Sequence, residues 1–225
     1  MLTLMNMTPA PPPPRADVPT FGARPTVRTT GDSQSIALTF DDGPNPAVTP
    51  QLMRLLARYG VKATFFLVGR HVRANAGLAR EIVSAGHSVG NHSQSHVPLL
   101  RLSAQAARRE LALCSEAIAA ACGARPRFMR PPYGIRRPGL KRMAAAEGLD
   151  WVVMWSRMAL DWRPQDHAKV ARRLQAVRGG DIVLLHDSGP EAAADRSHTV
   201  LALAELLPRW IDQGYRFVTI DQVCR

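Results

Sequence analysis

Asp41 and Asp42 stand side by side at the end of the apolar run Ile36-Ala37-Leu38-Thr39-Phe40 and are followed by Gly43-Pro44. Two carboxylates where a buried strand ends cost desolvation and mutual repulsion that folding alone does not require, so a cationic partner is expected beside them. His92-Ser93-Gln94-Ser95-His96 places two imidazoles at i and i+4, the separation at which a single helical turn aims both at one point. One carboxylate and two imidazoles make a ligand set for a divalent metal with positions left open for water and substrate. The second carboxylate is then free to act as a base. His186 closes another apolar run, Ile182-Val183-Leu184-Leu185, and precedes Asp187, so its imidazole is expected at the same place. His71 and His167 read instead as solvated residues on helix surfaces, and His87 and His198 as packing or hydrogen-bonding residues.

Residues this far apart in sequence meet only if the elements carrying them converge. Short β-branched or aromatic runs alternate with Ala/Leu/Arg segments of helical period. The runs predict strands over 36–40, 63–68, 87–90, 128–130, 151–155, 182–185 and 217–220. Helices are predicted over 48–59, 73–84, 103–121, 139–147, 166–177 and 199–213, several of them ending at a glycine such as Gly60, Gly86, Gly123, Gly148 or Gly214. Repeated strand-helix-strand units imply parallel strands with right-handed crossovers, hence an open doubly wound sheet or a barrel. Asp41, Asp42, His92, His96, Arg130, Asp161 and His186 fall at or just beyond the carboxyl ends of five predicted strands. Those ends meet at one mouth in a barrel, whereas an open sheet would separate the outer members. The predicted fold class is therefore α/β, a distorted, incomplete (β/α) barrel of about seven parallel strands where eight would close the usual form.

With 225 residues, 46% hydrophobic and 21% charged, the composition is that of a globular chain able to bury a full core. No apolar run approaches the roughly 20 residues that span a bilayer, so no transmembrane segment is expected. Residues 1–30, with Pro11-Pro12-Pro13-Pro14 and no basic start, read as a Pro-rich extended or disordered tail, and 31–225 as a single catalytic domain. The net charge of +11 fits either attraction to an anionic surface, nucleic acid or cell-wall polymer, or arginine used as a solvated helix former. Aromatics at 6%, with no interleaved basic-aromatic stripe, leave little for base stacking, so no nucleic-acid partner is expected. Cys114, Cys122 and Cys224 form no CxxC pair and are odd in number, which speaks against a disulfide framework or a thiolate zinc site.

Five segments in order, Thr39-Phe40-Asp41-Asp42, His92-Ser93-Gln94-Ser95-His96, Arg130-Pro131-Pro132-Tyr133-Gly134, Asp161-Trp162 and Leu184-Leu185-His186, resemble the ordered motifs of the polysaccharide deacetylases, carbohydrate esterase family 4 with its NodB homology domain. The resemblance runs from about Ile36 to Ile220. It implies a distorted (β/α) barrel that removes acetyl groups from N-acetylglucosamine units of chitin oligomers or peptidoglycan, or from O-acetylated xylan, with a divalent metal. By motif position it implies that Asp42, His92 and His96 hold the metal, most commonly Zn2+ with Co2+ or Mn2+ as alternatives. Asp41 is implied as general base, Arg130 as the group that orients it, and His186 as general acid with Asp161 as its partner. The backbone N–H of Tyr133 is implied in oxyanion binding, and Trp162 and Leu184 as walls around the acetyl methyl group.

One departure stands out: Met158 occupies a position, three before Asp161, where the family often has an acidic residue. The expected function is a metal-dependent deacetylase acting on an acetylated amino-sugar oligomer or polymer, such as a chitooligosaccharide or peptidoglycan. The alternatives are an O-acetyl xylan esterase and a catalytically impaired carbohydrate-binding homologue. The visible start points to the cytoplasm, whereas the substrate class points to the cell envelope or secretion. Oligomeric state is not legible.

Overall fold

The computed structural model describes residues 26–163, 165–191 and 194–224, so residues 1–25 of the expected tail lie outside the described residues. The strands are β1 (Ser35–Asp41), β2 (Thr64–Leu67), β3 (Ser88–Asn91), β4 (Phe128–Met129), β5 (Trp151–Val152), β6 (Arg157–Met158), β7 (Ile182–His186) and β8 (Arg216–Phe217). The helices are α1 (Thr49–Arg58), α2 (Gly69–Ala74), α3 (Ala76–Ser84), α4 (Ala104–Cys122), α5 (Leu140–Ala146), α6 (His167–Leu174), α7 (Ser197–Asp212) and α8 (Ile220–Val223). No helix among the described residues is long and apolar enough to cross a membrane.

All strand pairings are parallel, in the order β5-β4-β3-β2-β1-β7-β6, with β8 beside the first two residues of β1. The edge strands β5 and β6 are joined by residues 153–156 alone, a connection that reaches at most about 18 Å. A flat seven-strand path would separate its edges by about 29 Å. The sheet must therefore curl. Residues 27–30 lie in the remaining gap: Val27 N–H donates to Val152 O (3.0 Å), Met154 N–H donates to Val27 O (2.8 Å), and Thr30 N–H donates to Gly180 O (2.9 Å). The result is the distorted, incomplete barrel expected from the convergence of the ionisable residues on one mouth.

Every residue of β1 is buried, because helices cover its outer face and the curled sheet encloses its inner one. Ile36, Leu38 and Phe40 join Phe65, Leu67, Leu52, Leu56 and Leu206 in the layer between sheet and helices. The alternate set, Ala37, Thr39 and Asp41, belongs to the inner face, where Ala37 packs with Phe66, Phe128 and Ile182. Along β1 the interior thus changes from apolar at the foot to ionisable at the mouth.

Four details differ from the expected elements. The predicted helix 73–84 is two, α2 and α3, broken at Asn75 (φ −135°, ψ 49°), whose Nδ2 donates to His71 O (3.2 Å). The predicted strand 151–155 is only two residues long, and β6 follows it where no strand was expected. The predicted strand 217–220 ends at Phe217, because Thr219 and Gln222 form a capping box that starts α8.

Candidate active site

Asp41 is the last residue of β1 and is in register with His186, the last residue of β7. Asn91 at the end of β3 is in register with Met129 at the end of β4, so His92 and Arg130 leave the sheet together. Asp161 lies three residues past β6, the strand that the sequence pattern missed. The seven ionisable residues expected at one mouth are all buried there, with exposures from 0% at Arg130 and Asp161 to 9% at His186.

Asp42 Oδ1 lies 3.4 Å from His92 Nε2 and 3.0 Å from His96 Nε2, and one ligand atom from each of the three residues falls within 4.8 Å of the others. His92 Nδ1 is 2.8 Å from Arg130 O, an acceptor only, so that nitrogen carries the ring proton of the neutral imidazole. Its Nε2 then presents a lone pair to a carboxylate oxygen that accepts no hydrogen bond among the described residues. Two acceptors held face to face repel unless a cation lies between them. Two nitrogens and a carboxylate oxygen suit a borderline divalent ion such as zinc and leave a fourth position free. The donor set therefore fits the implied metal.

His92 and His96 do not share a helical turn, as their spacing suggested. They belong to an irregular loop, because local side chains compete with helical bonding. Ser93 N–H donates to Asn91 Oδ1 (2.9 Å) and His96 N–H donates to Ser93 Oγ (3.0 Å). The loop then bends through left-handed residues. Among the described residues, the non-glycine residues with φ in that region are Asp42 (79°), Ser93 (66°), His96 (59°), Tyr133 (59°) and Leu160 (55°). Each is an expected site residue or its neighbour, the clustering that backbone strain shows at functional sites.

Arg130 is wholly buried, and its guanidinium spans the interior. Nη1 donates to Asp41 Oδ1 (2.7 Å) and Thr39 Oγ1 (2.8 Å), Nη2 to Met154 O (3.0 Å) and Nε to Val153 O (3.3 Å). The guanidinium carbon sits 4.1 Å from the centre of the Phe66 ring. Burial lowers the proton affinity of Arg130, and Asp41 opposes that fall. One oxygen of Asp41 is thereby fixed, while Oδ2 points towards His92 Nε2 at 3.6 Å.

His186 Nδ1 is 2.8 Å from Asp161 Oδ1, and its backbone N–H donates to Asp161 Oδ2 (2.8 Å). Thr199 Oγ1 adds a third bond to the same carboxylate (2.9 Å), and His198 Nε2 meets the Asp161 carbonyl (2.7 Å). Burial alone would depress the basicity of His186, but Asp161, helped by Asp42 and Asp41, raises its pKa to about 9. Trp162 lies edge to face with His186 at 5.3 Å, and Tyr133 with His96 at 4.5 Å. Leu184 is buried in β7, in register with Thr39.

Two residues of this neighbourhood were misread or passed over. His71, read as solvated, is 4% exposed, and its Nδ1 lies 2.7 Å from the carbonyl of Asp42. The short helix α2 turns it inward, and the helix-surface assumption failed because the expected helix began too late. Asp187 is wholly buried and takes a short hydrogen bond from Thr49 Oγ1. A Cβ on Gly43 would clash with the Asp187 carboxylate that Thr49 holds, so a side chain there would displace it. Burial pushes the Asp187 pKa up to about 7. The dipeptide His186-Asp187 was its only signal. A cavity of about 250 Å³ lined by His87, Cys122 and Arg127 lies at the opposite, amino-terminal end of β3 to β5 and contains none of these groups.

A family model described as polysaccharide deacetylase matches residues 28–152, more than half of the chain. A chitooligosaccharide deacetylase from Bradyrhizobium sp. (strain ANU 289) is 38% identical over 215 residues, which are 92% of this chain and 98% of that protein. A peptidoglycan-N-acetylglucosamine deacetylase from Bacillus cereus is 37% identical over 192 residues, 84% of this chain and 88% of that protein. Among solved structures, BA3943 from Bacillus anthracis, described as a CE4 family pseudoenzyme, has a TM-score of 0.81 at 28% identity, covering 94% of this chain and 73% of that one. Peptidoglycan deacetylase PdaC from Bacillus subtilis has a TM-score of 0.75 at 32% identity, covering 86% of this chain and 91% of that one. Sequence and fold agree, and the chain belongs to the polysaccharide deacetylases of carbohydrate esterase family 4.

Proposed function

We propose that residues 31–225 form a metal-dependent deacetylase that hydrolyses the N-acetyl amide of N-acetylglucosamine units in an oligo- or polysaccharide and releases acetate. Asp42, His92 and His96 would hold a divalent ion, Zn2+ first with Co2+ or Mn2+ as alternatives, which when bound supplies a Lewis acid for acidifying water and polarising the acetyl carbonyl. Asp41 takes the proton of the attacking water. It is held in alignment because Arg130 bonds its other oxygen. The backbone N–H of Tyr133 stabilises the negative charge that develops on the carbonyl oxygen. His186, kept cationic by Asp161, gives a proton to the departing amine nitrogen, a contribution of ~10² to 10⁴-fold. Trp162 and Leu184 enclose the acetyl methyl group.

The observation that carries this reading is the different surroundings of adjacent carboxylates: Asp42 Oδ1 faces the imidazoles of His92 and His96 at 3.4 and 3.0 Å, whereas Asp41 is bonded by Arg130 at Oδ1 (2.7 Å) and lies farther from His92, 3.6 Å, at Oδ2. Asp41→Asn tests it. Acetate release should vanish while bound metal stays near one ion per chain; loss of the metal instead would overturn the assignment. Acetate assays on chitooligosaccharide against acetylated xylan separate an N-deacetylase from an O-acetyl esterase. The presence of every expected ligand and acid-base residue argues against an impaired binding homologue, although the neighbour BA3943 is described as a pseudoenzyme.

A further inference from the structure

The arginines of α-helix surfaces are accounted for by helix propensity, but those of the mouth loops are not: Arg101 ends a single 3-10 turn, Leu99–Arg101, and Arg136 and Arg137 follow another, Pro132–Gly134. The loops after β3 and β4 carry His92, His96, Arg130 and Tyr133, and a few residues further on they carry Arg101, Arg136 and Arg137. Residues 92–109 and 128–146 contain no Asp or Glu; the carboxylates that follow them are engaged, Glu110 by Ser95 N–H and Oγ (both 2.8 Å) and Glu147 by Arg108 (2.8 Å). The two loops form one surface: Arg137 Nη1 donates to Leu102 O (3.3 Å) and Ser103 O (3.1 Å). Arg101 and Arg136 are exposed, and among the described residues none of the three arginines has a carboxylate partner. The buried Nε of Arg137 has no acceptor among them.

The basic flank is also apolar. Leu100, Tyr133 and Ile135, 53%, 55% and 39% exposed, stand on the same two loops. Exposed apolar side chains beside unpaired guanidinium groups suit a polymer with C–H faces and fixed anionic groups. Exposed aromatic area limited to Tyr133 on this flank is poor for nucleic acid, which is held by successive stacked bases. The other flank mixes Arg163 and Arg196 with Asp166, Glu191 and Asp195, so its charges largely cancel.

We infer that the flank built by the loops after β3 and β4 receives carboxylate groups carried on the glycan, so that acidic acetylated polymers are taken in preference to neutral ones. The inference rests on the deacetylase reading and names the substrate class within it. Arg101 and Arg136 act on encounter and binding, and neither touches the reacting amide.

Carboxymethyl chitin and glycol chitin are a suitable pair of probes, both soluble polymers of N-acetylglucosamine, one bearing carboxylates and one neutral. KM for carboxymethyl chitin should be about fivefold lower at low salt, the yield of a few screened ion pairs, and the gap should close near ~0.5 M salt. Arg101→Glu with Arg136→Glu should remove the gap and leave kcat and KM on glycol chitin unchanged. Arg54→Glu with Arg172→Glu, on the exposed faces of α1 and α6, changes net charge by the same amount and should leave the gap intact. Equal KM values for the two polymers, or equal loss in both double variants, would overturn the inference. Retardation in gels containing each polymer reads binding without turnover. Absence of acetate release with flank-dependent retardation would sink the deacetylase reading while leaving the docking face in place.

Discussion

Arg130 Nη1 lies 2.7 Å from Asp41 Oδ1 inside the barrel, with Arg130 wholly excluded from solvent. Breaking such a pair by removing one partner leaves a buried charge uncompensated, which costs ~3–5 kcal/mol. Arg130→Met should therefore lower stability by about that amount. Arg130→Lys keeps the charge but cannot span four acceptors, and should lose less stability while reducing kcat by about 10²-fold through a misaligned Asp41. Urea unfolding and acetate release on both variants measure this. A lysine variant with full activity would show that Arg130 does not set the geometry of Asp41.

His186 should define the alkaline limit of activity. Its pKa of about 9 lies above that of a free imidazole, ~6.5, so the stability contributed by its pairing with Asp161 is complete below about 6.5 and is lost as pH rises through about 9. As a proton donor it fails over the same upper range. A bound cation offsets the part of the rise owed to Asp41 and Asp42, but not the part owed to Asp161. Asp161→Asn should therefore move the alkaline limb of kcat/KM to lower pH by about one unit or more. A limb that stays where it is in this variant would remove His186 from the role of general acid.

Metal loading should be visible in stability as well as in turnover. Zinc at about a hundred times its Kd stabilises a chain that binds it only when folded by ~2.7 kcal/mol, which for a chain of this size is about 5–10 °C in Tm. His96→Ala should abolish that shift, since it removes one of the three proposed ligands, whose Nε2 lies 3.0 Å from Asp42 Oδ1. Calorimetric scans of apoprotein with and without zinc give the answer. An undiminished shift in the variant would mean that the ion binds elsewhere.

The parts of this architecture legible in the sequence are those with long-range periodicity or dense chemistry. β1 and β7 are unbroken apolar runs that end in ionisable residues, and both were placed within a residue or two of their bounds. The two-residue β6 was not legible, because a strand that short has no period, and it is defined by its pairing of Arg157 with Val183 and Met158 with Leu184. The inward turn of His71 was hidden for a related reason. A single histidine in Gly69-Arg70-His71-Val72 looks solvated until the loop carrying Asp42 folds over it. The Asp161–His186 pair was expected from motif order alone, and its geometry depends on that unforeseen strand.

His87 offers a stability test far from the site. Its Nδ1 accepts from Ala63 N–H (3.2 Å), and burial, with Lys62 nearby, lowers its pKa to about 4. The unfolded chain therefore binds a proton between about pH 6.5 and about 4 that the native chain refuses, so stability present above 6.5 declines on acidification. His87→Gln retains an acceptor without the titration and should lose less Tm between pH 7 and pH 5 than the parent. The slope is the readout, whatever the absolute Tm of the variant. Parallel slopes would show that the ring is not held neutral.

Met158 stands where related chains often carry an acid, yet its surroundings argue that little depends on it. Its side chain is 38% exposed at the end of β6. The Asp161 carboxylate is already held by the Nδ1 and backbone N–H of His186 and by Thr199 Oγ1, groups from β7 and α7. A carboxylate introduced at position 158 would be solvated, and its field at His186 screened. Met158→Asp should therefore change kcat/KM by less than about tenfold, equivalent to ~1.4 kcal/mol. A larger gain would show that the proton donor is incompletely supported by Asp161 and that the methionine limits turnover; a larger loss would place the thioether against the substrate.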